Sequence, residues 1–227
     1  AVSAAVSVVV PWRPGCPHRE AAWAHLRGRW EAVGEVVEGR CAGPWVKADA
    51  LADGVSRASG DLLVFADADV WVDPSEAVAA CEVWAVPHLN VHRLSQVSTA
   101  EVLAGADWRG LGLDQSNRRD RGPYVGQVGG GVTVIRRDVY EQCPVPRIVG
   151  WGQEDEAWSI AMHCLFGAPW RGDLDLVHFW HPPQRRMSRV IGSVEGQRLR
   201  KRFRDAQRDP ALMRRLVKEA QCDPTTS

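Results

Sequence analysis

The sequence predicts an α/β domain, and three observations carry that expectation. Short apolar runs alternate with amphipathic segments of helical period. One run, 62–66 (LLVFA), is apolar throughout, as suits a strand at the centre of a sheet covered on both faces. The chain of 227 residues is 45% hydrophobic and 25% charged, which is enough to bury one substantial core.

Ser7 to Val10 reads as the first strand, stopped by Pro11 and Pro14. No basic residue precedes this apolar stretch, so it is expected to be a buried strand and not a signal peptide. A helix follows over 20–30, with Trp23, Leu26 and Trp30 on one face. Val33 to Val37 is the second strand, and 47–58 a helix with Leu51 and Val55 in register, ending before Gly60. The Gly60-Asp61 turn leads into the apolar strand at 62–66. Ser98-Thr99-Ala100-Glu101 reads as a capping box that opens a short helix. The segment 109–131, rich in Gly, Arg, Asp and Asn, is expected to form a long loop of the kind that usually serves function. A strand at 132–135, a helix at 154–165 and a last strand at 176–180 complete the alternation. From Gln184 onward Arg and Lys crowd the chain, where Leu199, Phe203, Leu212 and Leu216 are spaced to pack a helix onto the domain. The sharper reading of that segment is a docking surface for an acidic acceptor or an anionic membrane.

Lys plus Arg and Asp plus Glu both number 28, a balance that argues against a wholesale polyanion binder. The six cysteines, at 16, 41, 81, 143, 164 and 222, form no C-x-x-C pair, which disfavours a paired-cysteine zinc site or a disulfide framework. No apolar run approaches the roughly 18 residues that span a bilayer. A cytoplasmic protein with free thiols is expected.

Four stretches carry chemistry. In Phe65-Ala66-Asp67-Ala68-Asp69-Val70, two carboxylates leave the carboxyl end of a buried strand, where α/β sheets bind ligands. Acids at i and i+2 can share a hard divalent cation, or one can bind metal while the other takes a ribose hydroxyl. In 150–156 (GWGQEDE), glycines flank a tryptophan and three acids open a helix, where the dipole favours their charged form. An acid beside an indole in a crevice is also a candidate general base. In 173–181 (DLDLVHFWH), His178 and His181 are candidate metal ligands. Gly129-Gly130-Gly131 is a turn that lets a ligand press on bare backbone.

The order of these motifs, from Pro11-Trp12-Arg13 with Arg19, through FADADV, PYV…GGGVTVIRRDVY and GWGQEDE to a histidine, resembles GT-A-fold glycosyltransferases. The likeness runs over about residues 5–182 and is strongest to the catalytic half of β-1,4-galactosyltransferases. It is looser to polypeptide N-acetylgalactosaminyltransferases and family 2 enzymes. It implies a single Rossmann-like domain over 1–182, with a mixed, mostly parallel sheet flanked by helices, and a basic helical extension over 183–227.

By that resemblance, Pro11, Trp12, Arg13 and Arg19 match the segment that holds the nucleotide. Asp69 matches the metal-binding acid, Asp67 its companion near the ribose, and His178 the histidine metal ligand, with His181 competing. Gly130 and Gly131 match the turn against the donor sugar, and Trp151 the wall under donor and acceptor sugars. Asp155 matches the catalytic base of inverting enzymes, flanked by Glu154 and by Glu156 on the acceptor side. The implied reaction moves a sugar from a nucleotide diphosphate sugar, UDP-linked by preference, to an acceptor hydroxyl with inversion, using Mn2+ or Mg2+. Arg185 or Arg186 would add charge at the diphosphate. The acceptor, whether glycan, protein or modified nucleic acid, is left open. A retaining transferase and a silent sugar- or nucleotide-binding module of the same fold are the rival readings. A nucleotidyltransferase is disfavoured, because Pro11-Trp12-Arg13-Pro14-Gly15 is a poor version of its Gly-rich loop.

Overall fold

The computed structural model describes residues 5–111, 131–150, 152–182 and 193–221. The first strand is β1 (Val6–Pro11), whose Val8, Val9 and Val10 are fully buried. It pairs in parallel with β2 (Glu35–Gly39) on one side and β3 (Leu62–Ala66) on the other. The remaining strands are β4 (Val70–Trp71), β5 (Trp84–Arg93), β6 (Val132–Arg136) and β7 (Trp170–His178). They complete a seven-stranded sheet of order β2-β1-β3-β6-β5-β7-β4. Only β6 and β4 run against the others, so the sheet is mixed and mostly parallel.

Strand alternation divides the apolar residues between two faces. Val9, Leu63 and Phe65 face a layer made of α2 (Lys47–Arg57), α5 (Arg137–Gln142), α6 (Glu154–Phe166), α7 (Val194–Asp205) and α8 (Pro210–Glu219). Val8, Val10, Leu62 and Val64 face α1 (Pro17–Glu31), α3 (Ser75–Ala80) and α4 (Gln96–Leu103). Two glycines set the close approach of α2. A Cβ on Gly39 would lie 1.9 Å from the Ala50 carbonyl oxygen, and one on Gly54 would lie 2.4 Å from Val9 Cγ1. The N-terminus of α2 is thereby held over the carboxyl ends of β1 and β3.

Several boundaries differ from expectation for local reasons. Helix α4 starts before Ser98, because Ser95 is the cap and its hydroxyl accepts from the Ser98 amide at 2.9 Å. Strand β7 begins at Trp170 and ends at His178, drawn out by its parallel pairing with β5. Strand β5 itself was not expected, since Pro87 interrupts its pattern; register shifts between Val86 and Asn90 absorb the proline. The basic segment forms α7 and α8, with Phe203 and Leu216 buried against α6 and Leu199 and Leu212 packed beside them. Most of the expected loop 109–131 lies outside the described residues. No helix among the described residues is long and apolar enough to cross a membrane.

Candidate active site

Beyond the end of β3 the chain passes through Asp67 and Asp69 before turning into β4. Pairing with β6 continues past the strand. The Asp67 amide donates to the Gly131 carbonyl at 3.1 Å, and the Gly131 amide donates to Asp67 Oδ2 at 3.3 Å. Gly131 has φ +79°, a backbone conformation that favours glycine, and a Cβ there would lie 2.9 Å from Leu176 Cδ1, the movable end of that side chain. Asp69 is held by its backbone, whose carbonyl accepts from Phe179 at 2.8 Å, and Val70 stands opposite His178 in the β4–β7 pairing. Two distant segments are thus brought together by one short antiparallel pair.

The result is a cluster of Asp69, His178 and His181, with one donor atom from each lying within 4.8 Å of the others. His181 Nδ1 stands 2.8 Å from the Pro182 carbonyl, which can only accept; Nδ1 therefore carries a proton and Nε2 faces the cluster. Nε2 lies 3.3 Å from Asp69 Oδ2. A buried carboxylate needs a positive charge or a donor beside it. Arg19, in the first turn of α1, meets that need: its Nε is 3.0 Å from Asp69 Oδ2 and its Nη2 is 3.2 Å from His181 Nε2. Burial works to raise the Asp69 carboxyl, but His178, Arg19 and His181 together hold it below its usual range. Burial also keeps His178 below its ordinary value, so the permanently charged arginine is the dependable part of that effect. The donor set fits a divalent cation, and two imidazole nitrogens beside one carboxylate tilt it from magnesium toward manganese.

A second cluster lies on the other side of Asp67. Lys47 opens α2, and its ammonium is 2.9 Å from Asp67 Oδ1 and 3.0 Å from Asp155 Oδ1. Burial pulls the Lys47 pKa down, yet Asp155, Asp67 and Glu154 together hold it well above its ordinary value. The acids sit at the first turn of α6, and the Gly150 amide donates to the Trp45 carbonyl at 2.8 Å, tying the approach to α6 to the approach to α2. The entry to α6 is strained: Gly150 and Gly152 each have φ +96° and Gln153 has φ +82°, the one non-glycine in that region among the described residues. A left-handed non-glycine costs about 1–3 kcal/mol and is common at functional sites. Burial raises the Asp155 carboxyl, with Asp67 adding to the rise and Lys47 opposing it. Burial and the Asp155 charge push Glu154 up to about 7. No donor among the described residues reaches Glu154 Oε2.

The two clusters adjoin at Asp67. Pro11, Lys47, Asp67, Gly131 and Asp155 line one cleft, and the Asp67 charge acts on both Asp155 and His178. The structure therefore brings Pro11, Asp67, Gly131 and Asp155 to that cleft, with Glu154 beside Asp155, and gathers Asp69, Arg19, His178 and His181 in the neighbouring cluster. Others fall aside. Arg13 turns to the loop before α2, donating to the Gly43 carbonyl at 2.5 Å, and Trp12 leans on Trp23 with ring centres 6.3 Å apart. Both oxygens of Glu156 accept from Arg200 of α7, at 2.7 and 2.9 Å, and Arg204 adds a third bond at 2.8 Å. Gly130, Trp151, Arg185 and Arg186 lie outside the described residues.

Lys47 is the functional candidate that the sequence reading missed. Its signal was present: a lysine at the first position of a helix opposes the helix dipole, so something other than helix stability places it there. Arg19 in the first turn of α1 carries the same signal.

No protein-family profile matches the chain, and no curated protein matches it in sequence. Solved structures do resemble it. A variant of Drosophila β-1,4-galactosyltransferase 7, solved with manganese, UDP-Gal and xylobiose, superposes with a TM-score of 0.50 at 14% identity, over 86% of this chain and 79% of that one. Glucosyl-3-phosphoglycerate synthase from Mycobacterium tuberculosis, solved with Mn2+, UDP and phosphoglyceric acid, gives 0.49 at 15% identity over 91% and 79%. A mannosyltransferase from Pyrobaculum calidifontis, solved with GDP-Man and Mn2+, gives 0.47 at 16% over 96% and 69%. The neighbours are GT-A glycosyltransferases, and the fold of this chain is of that class.

Proposed function

We propose that the chain is a metal-dependent glycosyltransferase that moves a sugar from a nucleotide diphosphate sugar to an acceptor hydroxyl, with inversion at the anomeric carbon. The observation that carries this reading is the convergence, at the carboxyl ends of the strands, of a carboxylate–imidazole cluster and a buried acid–lysine cluster around Asp67. Residues 1–182 form the catalytic unit in this reading, and 183–227 a basic helical extension.

Asp69, His178 and His181 would hold Mn2+, with Mg2+ the poorer fit. When bound, the ion supplies charge that offsets the negative charge growing on the diphosphate leaving group. The remaining roles belong to the chain. The N-termini of α1 and α2 both open toward the cleft, presenting amide groups and the cations Arg19 and Lys47 where a diphosphate would lie. Asp67 offers Oδ2 and the Gly131 turn offers bare backbone to the ribose and donor sugar. Asp155 accepts the proton of the acceptor hydroxyl as that oxygen attacks the anomeric carbon. Burial raises its basicity toward the working range, while Lys47 keeps it ionised at neutral pH. Glu154, pushed up to about 7, is only partly ionised near neutrality, which leaves Asp155 the more fully ionised of the two acids.

The test is a screen of UDP-, GDP- and other nucleotide sugars for release of free nucleotide, with Mn2+, with Mg2+ and with chelator. Metal-dependent release is expected with one donor class. Donor binding without release under all conditions would instead identify a silent binding module. A product that keeps the anomeric configuration of the donor would overturn inversion and the base role of Asp155.

A further inference from the structure

The position of Arg19 goes beyond the assignment of a metal site and a donor site. Its guanidinium is directed at the same atoms that would face a cation. Arg19 Nε takes Asp69 Oδ2 at 3.0 Å, and Arg19 Nη2 takes His181 Nε2 at 3.2 Å. Those are two of the three donors in the cluster, and the third, His178, stands beside them with its ring centre 5.3 Å from that of His181. A divalent ion and the guanidinium therefore compete for one carboxylate oxygen and one imidazole nitrogen. An arginine cannot give up its charge at any accessible pH, so the competition is settled by movement and not by deprotonation.

Movement is open to it. Arg19 is 27% exposed while Asp69 is 7% exposed, so the arginine side chain is the part with solvent on one side. It stands in the first turn of α1 after Pro17, at a helix end whose dipole repels a cation and attracts an anion. Once displaced from Asp69, the planar fork has one partner of matching shape among the proposed ligands, the diphosphate, whose oxygens suit bidentate N–H donors.

Resting on the donor and metal reading above, we propose that Arg19 is a positioning residue that couples the two ligands. It occupies the cation site as an internal counter-ion, yields Asp69 and His181 to the divalent ion, and passes to the diphosphate of the nucleotide. The metal ion alone has to displace the guanidinium without a new partner for it. With a nucleotide diphosphate present, the guanidinium is exchanged from one anion to another. Metal and nucleotide then strengthen each other's binding by the same factor, as linkage requires.

Free Mn2+ measured by electron paramagnetic resonance tests this, in the wild type, Arg19→Gln, Arg19→Lys and Asp69→Asn, with UDP and GDP as probes. Without nucleotide, Arg19→Gln is expected to bind Mn2+ about tenfold more tightly than the wild type, and Arg19→Lys by a smaller factor, because a single ammonium cannot hold both donors. The gain in Mn2+ affinity that UDP or GDP produces is expected to shrink by about tenfold in Arg19→Gln, within the usual range of coupling between two sites. Should Arg19→Gln not fold, as judged by circular dichroism, the Lys variant carries the same test. Asp69→Asn separates the two ideas. If it weakens Mn2+ binding while both Arg19 variants leave it unchanged or weaker, the metal site stands and the coupling role of Arg19 falls. If Asp69→Asn leaves Mn2+ binding at the wild-type level, the metal site falls and this inference with it.

Discussion

Asp155 Oδ1 lies 3.0 Å from Lys47 Nζ, and the same ammonium lies 2.9 Å from Asp67 Oδ1. One half-buried cation thus holds together acids from the end of β3 and the start of α6, segments 88 residues apart by the difference of their numbers. Taking one partner from a buried ion pair is far more damaging than replacing the whole group, because it leaves uncompensated charge.

Lys47→Met is therefore expected to cost about 1–3 kcal/mol near neutral pH, less than a fully buried pair because both acids keep contact with solvent, read from urea denaturation. The sign of its pH dependence follows from the same geometry. Burial already raises the Asp155 and Glu154 carboxyls against the pull of Lys47. Without the ammonium they sit further above their unfolded values and hold protons that the unfolded chain releases. The penalty should then grow as pH rises and be smallest in mild acid. Lys47→Arg should not restore stability, since a planar fork cannot take the place of a compact ammonium between two carboxylates. A penalty that is flat from pH 5 to pH 8 would remove Lys47 from its role as counter-ion.

Asp155→Asn is expected to abolish sugar transfer while leaving binding of Mn2+ and nucleotide close to wild type. A well-placed general base contributes about 10²- to 10⁴-fold, so the loss should reach at least the lower figure. Calorimetry with the nucleotide and a transfer assay on one preparation check both halves. Full turnover in this variant would transfer the base role to another group, with Glu154 the nearest.

The sheet was largely legible because its central strands are apolar on consecutive positions, and 62–66 came out to the residue. What the sequence hid were the elements whose pattern depends on partners. Strand β5 is broken by Pro87 and is completed only by the pairing of eight of its ten residues with β7 and β6. Strand β4 is two residues long and exists because Val70 meets His178. The acids and histidines of the site stood out as unusual local patterns. Lys47 did not, because a single lysine at a helix start gains meaning only when α2 is laid beside α6. Glu156 illustrates the opposite limit: the resemblance implied the acceptor side, while its two oxygens accept from α7.

Glu154 supplies a pH signature. Burial and the neighbouring Asp155 raise its carboxyl from 4.5 to about 7. Between those values the folded chain keeps a proton that the unfolded chain loses, so its contribution to stability declines as pH rises through that window. Glu154→Gln removes the titration. The variant should match the wild type below pH 4.5 and exceed it above pH 7, by roughly 1–3 kcal/mol given a shift of this size in a buried group. The lost attraction to the α6 dipole, about 0.3–1 kcal/mol, works the other way and is the smaller effect. Thermal melts of both proteins across pH 4 to 8 check this, and parallel curves would refute it.

The link between α6 and α7 should be both structural and local. Glu156 is 19% exposed in its side chain, Arg200 28% and Arg204 49%, so the Arg200 contact, one Nη1 shared by both carboxylate oxygens, is the stronger and Arg204 is screened by solvent. Glu156→Ala leaves the half-buried Arg200 guanidinium unpaired and is expected to cost about 1–3 kcal/mol. Phe203 lies fully buried one turn further along α7, and Phe203→Ala should cost about 3–5 kcal/mol through the cavity it leaves. The two variants differ in where the loss appears. Losing the Glu156 contact should speed amide hydrogen exchange in α7 first, because the ion pair fastens that helix to α6 while Met213 and Leu216 keep α8 in the core. Losing Phe203 should speed exchange in α6, α7 and α8 together, since all three helices meet in one apolar cluster. Transfer activity in Glu156→Ala should stay near wild type if this acid serves to hold α7, and should fall by tenfold or more if an acceptor depends on it.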